Sequence, residues 1–296
     1  MTSNKEETCI IAPAKLNLNL HVISKDIDGY HFLKSHVCFL NLYDYIYISK
    51  SKKTSINQDK LNSSFNLNDE TILLKTLKLF KEKYNWSQNF NIRFIKNIPI
   101  GAGLGGGSAD AAALLLGLRL IFNKKTNLYK KVQIRDILKL GFLIGSDVPS
   151  CVYSKSLRIS HKGENLFISK TPQQFKFLLI YPNVRLSTKK VFETFDKNKN
   201  SKLLLHNSIQ DIEIYNSLLE PACVNEPKIK EIINTLKSLK NIAAYGMTGS
   251  GSTCFGIFTN SIDLKSALTK LNKETNNDYF IWHGNKKEFG YNRILY

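Results

Sequence analysis

The sequence predicts a mixed α and β fold in two domains, and three observations carry that prediction. Leu16, Leu18, Leu20 and Val22 alternate with Lys15, Asn17, Asn19 and His21 as the two faces of a strand do. Leu73, Leu77, Phe80 and Tyr84 recur at spacings of four, three and four, the stripe of an amphipathic helix. The length, 296 residues, lies near the size at which one hydrophobic core divides into two. The composition turns polar between Ser154 and Lys170, which puts the division near residue 155 and gives domains 1–155 and 156–296.

Ile10 to Val22 opens the chain as a strand with one wholly polar face, either an exposed surface or the wall of a polar cleft. Asp28-Gly29-Tyr30-His31 follows as a turn that sets an aromatic ring beside an imidazole. Leu40 to Ile48 reads as a strand, and the lysine-, asparagine- and serine-rich stretch from Ser49 to Asn68 as a loop or edge hairpin. The amphipathic helix spans Glu70 to Tyr84, Phe90 to Ile95 alternates as a strand, and Ala111 to Phe122 is an alanine- and leucine-rich helix. Val132, Ile134, Ile137, Leu138, Phe142 and Leu143 mark a buried helix ending near Gly145. In the second half, Lys176 to Tyr181 is a strand, Val191 and Phe192 lie on a short helix, and Lys197 to Ser208 is a mobile polar insertion. Ile229 to Leu239 is helical and runs into a second glycine-rich loop, Gly246 to Phe255.

Five glycines crowd the seven positions from Gly101 to Gly107, between a strand and a helix. Glycine contributes nothing to a core and loses the most conformational entropy on folding, so a bare backbone is needed there for another purpose. Backbone N–H groups turned inward at a helix start form an anion site, and a phosphate is the expected ligand. Gly101, Gly103 and Gly106 satisfy G-x-G-x-x-G, but a dinucleotide fold requires an acidic residue about 20 positions further on, where this chain has Asn123-Lys124-Lys125-Thr126. A Walker loop requires Lys then Ser or Thr after its last glycine, whereas Gly107 is followed by Ser108 and Ala109.

A third pattern fits. Read from Pro99 to Ala112, Pro-x-Gly-Ala-Gly-Leu-Gly-Gly-Gly-Ser-x-Asp-Ala-Ala resembles the central motif of the GHMP kinases, the superfamily that includes galactokinase, homoserine kinase and mevalonate kinase. Ala12-Pro13-Ala14-Lys15-Leu16-Asn17-Leu18 resembles its first motif and Gly246 to Phe255 its third, so the resemblance runs in order through most of the chain. It implies an α+β two-domain GHMP kinase fold: an N-terminal nucleotide-binding α+β domain, a C-terminal ferredoxin-like domain, and the active site in the cleft between them. ATP and Mg²⁺ are then the implied cofactors. The backbone of Pro99, Gly101, Ala102, Gly103, Leu104, Gly105, Gly106 and Gly107 would hold the ATP phosphates, with Ser108 in reach of phosphate or Mg²⁺. Gly145-Ser146-Asp147-Val148-Pro149 resembles the segment that carries the family's catalytic aspartate, although an aspartate after a helix is by itself more often a local turn residue. By the resemblance Asp147 would accept the proton of an alcohol while Lys15 stabilises the charge that develops.

Asp28-Gly29-Tyr30-His31 is similar to an element of one branch of this superfamily, which phosphorylates the 2-hydroxyl of a cytidine-diphosphate-linked methylerythritol. There Tyr30 and His31 would hold the cytosine, with Phe192 across its other face and Asn17 and Thr188 nearby; Phe192 also reads as an ordinary core residue on an amphipathic turn. The chain departs from the branch at Asp26-Ile27, where Arg-Pro is frequent, and at Ser217, where Asp is. Another small-molecule kinase of the superfamily, or a non-catalytic nucleotide-binding protein of the same fold, are the alternatives.

Composition narrows the classes further. The net charge of +18 comes from 42 basic residues, of which six are arginine, so a solvated lysine surface is expected rather than a nucleic-acid reader. Five scattered cysteines without a C-x-x-C pair read as reduced thiols, and no stretch is long and apolar enough to be read as a membrane span. The expected partners are the cytidine diphosphate substrate and ATP, without nucleic acid or membrane, in a cytoplasmic monomer or homodimer. The six histidines are too scattered for a zinc site.

Overall fold

The computed structural model describes residues 7–59, 68–124, 126–127, 130–197, 207–274, 278–291 and 293–295. The first half contains β1 (Glu7–Lys25), β2 (His31–Ser51), β3 (Ser55–Gln58), α1 (Asn68–Lys83), β4 (Asn89–Ile95), α2 (Gly106–Lys124), α3 (Ile134–Ile144), α4 (Val148–Tyr153), β5 (Leu157–His161) and β6 (Asn165–Ile168). The second contains β7 (Lys176–Tyr181), α5 (Thr188–Lys197), β8 (Asn207–Ile209), β9 (Ile212–Asn216), α6 (Leu219–Asn225), α7 (Lys228–Lys237), β10 (Ala244–Met247), β11 (Cys254–Phe258), α8 (Ser261–Glu274), β12 (Phe280–Asn285) and β13 (Ile294–Leu295).

Two long strands, β1 and β2, pair antiparallel from Glu7↔Ser49 to Lys25↔His31 and form the spine of a nine-stranded sheet ordered β3-β4-β2-β1-β9-β8, with β13 on β1 and the β5–β6 hairpin on β2. Register shifts between Pro13 and Lys15 and between Asn17 and Asn19 bracket the polar residues of β1. Such bulges add twist and re-aim side chains. Ile10 and Ala12 accordingly pack in the core shared with α1 and α2, while Ala14, Leu16 and Leu18 pack in a second core with the strands of the C-terminal half. The polar face of β1 is therefore a wall between two halves: Lys15 and Asn17 are 3% and 4% exposed.

The smaller sheet runs β12-β7-β11-β10, antiparallel throughout. With α7 before β10 and α8 before β12, it has the β-α-β-β-α-β connectivity of a ferredoxin-like fold. Hairpin β8–β9 leaves this half and joins the larger sheet through a short parallel pairing of β9 with β1, Asn19↔Tyr215 and Leu20↔Asn216. On the other side of the expected division at 155, β5 and β6 also belong to the larger sheet.

Several local expectations change. The helix after the glycine loop starts at Gly106 rather than Ala111, because Gly105 O already accepts the Ala109 N–H at 2.8 Å. Residues 55–58 form a parallel strand against β4, not an edge hairpin, and 60–67 lie outside the described residues. Phe142 and Leu143 are 38% and 65% exposed, since α3 buries Ile137 and Leu140 instead. Of the insertion expected at 197–208, residues 198–206 lie outside the described residues, while Lys197 ends α5 and Asn207 begins β8. All five cysteines are unpaired, and burial pushes Cys38 and Cys151 up to about 12, which leaves neither as a thiolate nucleophile at neutral pH. Among the described residues no helix is long and apolar enough to cross a membrane.

Candidate active site

Lys15 and Asp147, 132 positions apart, meet. The Lys15 ammonium donates to Asp147 Oδ2 at 2.9 Å and to Asn17 Oδ1 at 3.0 Å. The lysine side chain is 4% exposed and the aspartate 43%, so the cation is sheathed by protein while the carboxylate faces the cleft. Asp147 stands at the N-cap of α4 but its side chain makes no capping bond. Its backbone carbonyl accepts from Cys151 N at 3.1 Å and Ser150 Oγ at 2.8 Å, which fixes the residue while leaving the carboxylate free of the helix. Asn17 is held in turn by Ser35 Oγ, 2.7 Å from its Nδ2, and by Thr248 Oγ1, which accepts its backbone N–H at 2.9 Å.

The glycine loop is attached directly to this pair. Lys15 N donates to Leu104 O at 2.9 Å, and a Cβ built on Gly105 (φ +67°) would lie 3.3 Å from Lys15 Cβ and Cε. One cavity of about 270 Å³ includes Lys15, Asn17, Asp147, Thr188 and Phe192 in its wall; a second, of about 260 Å³, is walled by Pro99 to Ser108 with Lys96 and Ile72. Gly103 and Gly105 border both, so the loop is a thin partition between the two spaces. Beneath it lies a buried ion cluster: Lys96 Nζ is 2.6 Å from carboxylate oxygens of both Asp44 and Asp110, and Asp44 Oδ1 accepts the N–H groups of Asn97 and Ile98. Burial raises Asp44 above the usual carboxylate range, opposing the pull of Lys96.

The second glycine-rich stretch supports the first from behind. Thr253 N donates to Ala102 O at 3.2 Å, and Asn216 Nδ2 holds the carbonyls of Met247 and Gly249 at 2.8 and 2.9 Å. At Gly103 (φ +78°) an added Cβ would stand 2.5 Å from Gly251 O and 3.0 Å from Thr248 O, backbone atoms that cannot swing aside. Gly103→Ala is therefore expected to lower stability by about 1–3 kcal/mol and, if the loop holds the ATP phosphates as the resemblance implies, to raise the KM for ATP more than that of the acceptor. Thermal unfolding and steady-state kinetics on the same sample check both halves.

The remaining expected residues are only partly brought together. Thr188 and Phe192 line the first cavity, and Thr188 Oγ1 is 2.9 Å from Ser250 Oγ. His31 stacks on Phe192 with ring centroids 4.5 Å apart, and its Nε2 is 2.8 Å from Asp196 Oδ1, whose other oxygen accepts from Lys25 at 2.5 Å. Tyr30 is 65% exposed, and among the described residues no ring contact joins it to Phe192. Its ring lies 5.1 Å from Lys162 Nζ, which is 2.6 Å from Asp26 Oδ2. Lys162 and Asp196 are additions that the sequence did not single out, Lys162 lying in the polar stretch read as a domain boundary and no motif marking Asp196; Ser250 lies within the second glycine-rich loop but was not named as a site residue. The Asp26 departure acquires a partner in Lys162, and Ser217 accepts Val22 N at 3.1 Å, closing the β1–β9 pairing.

Chemically, a buried ammonium paired with a half-exposed carboxylate beside an N–H-lined loop can deprotonate a hydroxyl next to a bound phosphate chain. Among the described residues no group of three or more His, Cys, Asp or Glu side chains could hold a metal by itself.

Comparison with known proteins agrees with that chemistry. Residues 71–155 match the family described as GHMP kinases N terminal domain, and 201–277 match GHMP kinases C terminal. A 4-diphosphocytidyl-2-C-methyl-D-erythritol kinase of Clostridium tetani is 34% identical over 284 residues, 91% of this chain and 98% of that protein. The enzyme of the same name from Ehrlichia canis is 33% identical over 285 residues, covering 92% and 96% of the two chains. Among solved structures, a 4-(cytidine 5'-diphospho)-2C-methyl-D-erythritol kinase superposes with a TM-score of 0.74 at 25% identity, over 95% of this chain and all of the other. The mevalonate kinase of Methanococcus jannaschii, 17% identical, shares the fold with a TM-score of 0.66 over 97% and 100%.

Proposed function

The chain belongs to the GHMP kinases and, among them, to the 4-diphosphocytidyl-2-C-methyl-D-erythritol kinase family, and on that premise we propose that it transfers the γ-phosphoryl group of ATP to the 2-hydroxyl of 4-(cytidine 5'-diphospho)-2-C-methyl-D-erythritol. The observation that carries the proposal is the Lys15–Asp147 contact of 2.9 Å in the wall of a cavity that shares the glycine partition with a second cavity walled by the loop.

Phosphoryl transfer demands little covalent chemistry from a protein; it demands charge neutralisation and an aligned nucleophile. Backbone N–H groups of the loop and the start of α2 supply the first, receiving the ATP phosphates. Asp147 accepts the hydroxyl proton as the oxygen attacks, and the Lys15 ammonium stabilises the negative charge gathering between acceptor oxygen and phosphate. Ser108 Oγ, in the wall of the loop cavity, is a hard oxygen donor that would suit a Mg²⁺ accompanying the ATP phosphates. When bound, that ion neutralises part of the triphosphate charge.

The base would be read beside the acceptor cavity, whose wall includes Phe192 but neither Tyr30 nor His31. Tyr30 offers an exposed aromatic face, His31 a ring whose tautomer its Asp196 contact constrains, and Phe192 an apolar wall. Between the base and the reacting hydroxyl lies a diphosphate, and the basic side chains in the cavity wall are Lys15 and Lys162. Lys15 is engaged with Asp147, so Lys162 is the cation available to the diphosphate, in exchange for Asp26. Lys162→Met should raise the KM of the cytidylyl acceptor about tenfold, the worth of one such charge contact, with kcat and the KM of ATP unchanged; initial rates with each substrate varied check this.

The identity of the acceptor is tested by ADP release measured with the cytidylyl compound beside mevalonate, homoserine and galactose. Turnover with the first alone is expected, and turnover confined to one of the others overturns the proposal.

A further inference from the structure

The last strand of the chain lies outside both matched family segments, yet the residue just before it reaches the end of α4, the helix that follows Asp147. Residues after β12 cross back to the N-terminal half: Lys287 N donates to Phe39 O and Phe289 N to Ser154 O, and β13 pairs with β1 through Ile10↔Ile294 and Cys9↔Leu295. Between these anchors sits Arg293, 3% exposed. Its Nη1 donates to Cys151 O at 2.8 Å and to Ser154 Oγ, both at the C-terminal end of α4. Its own carbonyl accepts Ile11 N at 3.1 Å.

The two elements joined in this way carry the chemistry. Ile11 lies four residues before Lys15 on β1, and Cys151 lies one helical turn after Asp147, whose carbonyl accepts the Cys151 N–H. We propose that Arg293 is a positioning residue that clamps α4 against β1 and so sets the distance between the Lys15 ammonium and the Asp147 carboxylate.

Stability alone does not account for this side chain. Arg293 has no carboxylate partner among its hydrogen bonds, and its Nε and Nη2 have no hydrogen-bond partner among the described residues. Burial lowers it to about 10, so it remains a cation at neutral pH. A desolvated guanidinium answered by two neutral acceptors costs free energy that those bonds do not return in full. Its acceptors do not depend on it either, since Ser154 Oγ donates to Cys151 O at 2.6 Å. What the arginine adds is a rigid planar reach from the tail to the end of a short helix. At six residues α4 has too few internal hydrogen bonds to hold its own orientation.

This inference rests on Lys15 and Asp147 being the reacting pair, and its test includes a readout independent of turnover. Amide hydrogen exchange and steady-state kinetics are compared for the full chain, Arg293→Met and Arg293→Lys. In Arg293→Met, exchange should accelerate about tenfold in residues 148–153 and stay unchanged in β7. The kcat should fall about tenfold with the KM of ATP held within about twofold, the mark of a group misplaced only at the reacting centre. Arg293→Lys, which keeps a charged donor on a single nitrogen, should recover part of both; should the methionine variant not fold, the lysine variant carries the comparison. Unchanged protection of residues 148–153 overturns the clamp whatever the activity, as does unchanged kcat beside a loosened α4. A wild-type chain inactive on every acceptor would instead overturn the kinase reading, and the exchange pattern would still decide the clamp.

Discussion

Asp147→Asn is expected to lower kcat by about 10²–10⁴-fold, the usual worth of a positioned proton acceptor, while ATP binding stays within about twofold. The asymmetry follows from the geometry. Asp147 lines the acceptor cavity, and the hydrogen bonds that support the glycine loop come from elsewhere, Lys15 N to Leu104 O and Thr253 N to Ala102 O. An amide at this position keeps the hydrogen bond from Lys15 but cannot take a proton from the hydroxyl. Binding of a fluorescent ATP analogue and a single-turnover rate separate the two quantities. Weaker nucleotide binding with turnover preserved contradicts the assignment.

Lys15→Met should cost a comparable factor, about 10²–10³-fold in kcat, as the loss of one preorganised charge at a reacting centre does. Methionine retains the unbranched stem that packs beside Gly105, so the loop keeps its support and only the ammonium is lost. Arginine is not expected to restore activity: the ammonium sits in a space 4% exposed between Asn17 and Asp147, and a planar fork cannot enter it without displacing one of them. On the proposed mechanism Lys15 and Asp147 would act as a unit on one proton and one developing charge. The double variant Lys15→Met with Asp147→Asn should therefore lose little more than the worse of the single ones. Losses that multiply would mean that the residues act in separate steps. The check is kcat of all three variants under saturating substrates.

The fold was readable where chemistry and geometry are local. Five glycines between an alternating strand and an alanine-rich helix can serve few purposes, and that stretch does partition two cavities. Strand Lys176 to Tyr181 follows from a single apolar run and appears with those bounds. The alternation of β1 rightly placed Lys15 and Asn17 on one face, but wrongly Asn19 and His21 with them: beyond the bulge after Asn17, Leu20 lines the cavity instead. Bulges beside Lys15 and Asn17, together with a second core across the sheet, bury residues that composition alone would leave on a surface. Phe142 and Leu143 show the converse: apolar spacing marks a helix without stating how much of it the neighbours cover.

The candidate site could be suggested only through the resemblance, because its members lie far apart in sequence. No local pattern relates residue 15 to residue 147, or residue 248 to Asn17. Lys162 and Arg293 lay beyond reach for the same reason: one belongs to a turn tied to Asp26, the other immediately precedes a short strand paired with β1. Parallel pairing of β9 with β1, which joins the second half to the first sheet, likewise leaves no signature in either strand. Ser217 illustrates the limit well. It departs from the family spelling, and its use, accepting the Val22 N–H, becomes visible only once the two strands are side by side.

The most direct measurement is the fate of the γ-phosphate. With ATP labelled in that position and the cytidylyl acceptor present, the account predicts that the label appears in a phosphate monoester on the 2-hydroxyl, seen by phosphorus–carbon coupling to the adjacent methyl-bearing carbon. Label released only as inorganic phosphate, or attached to another oxygen of the acceptor, would contradict it.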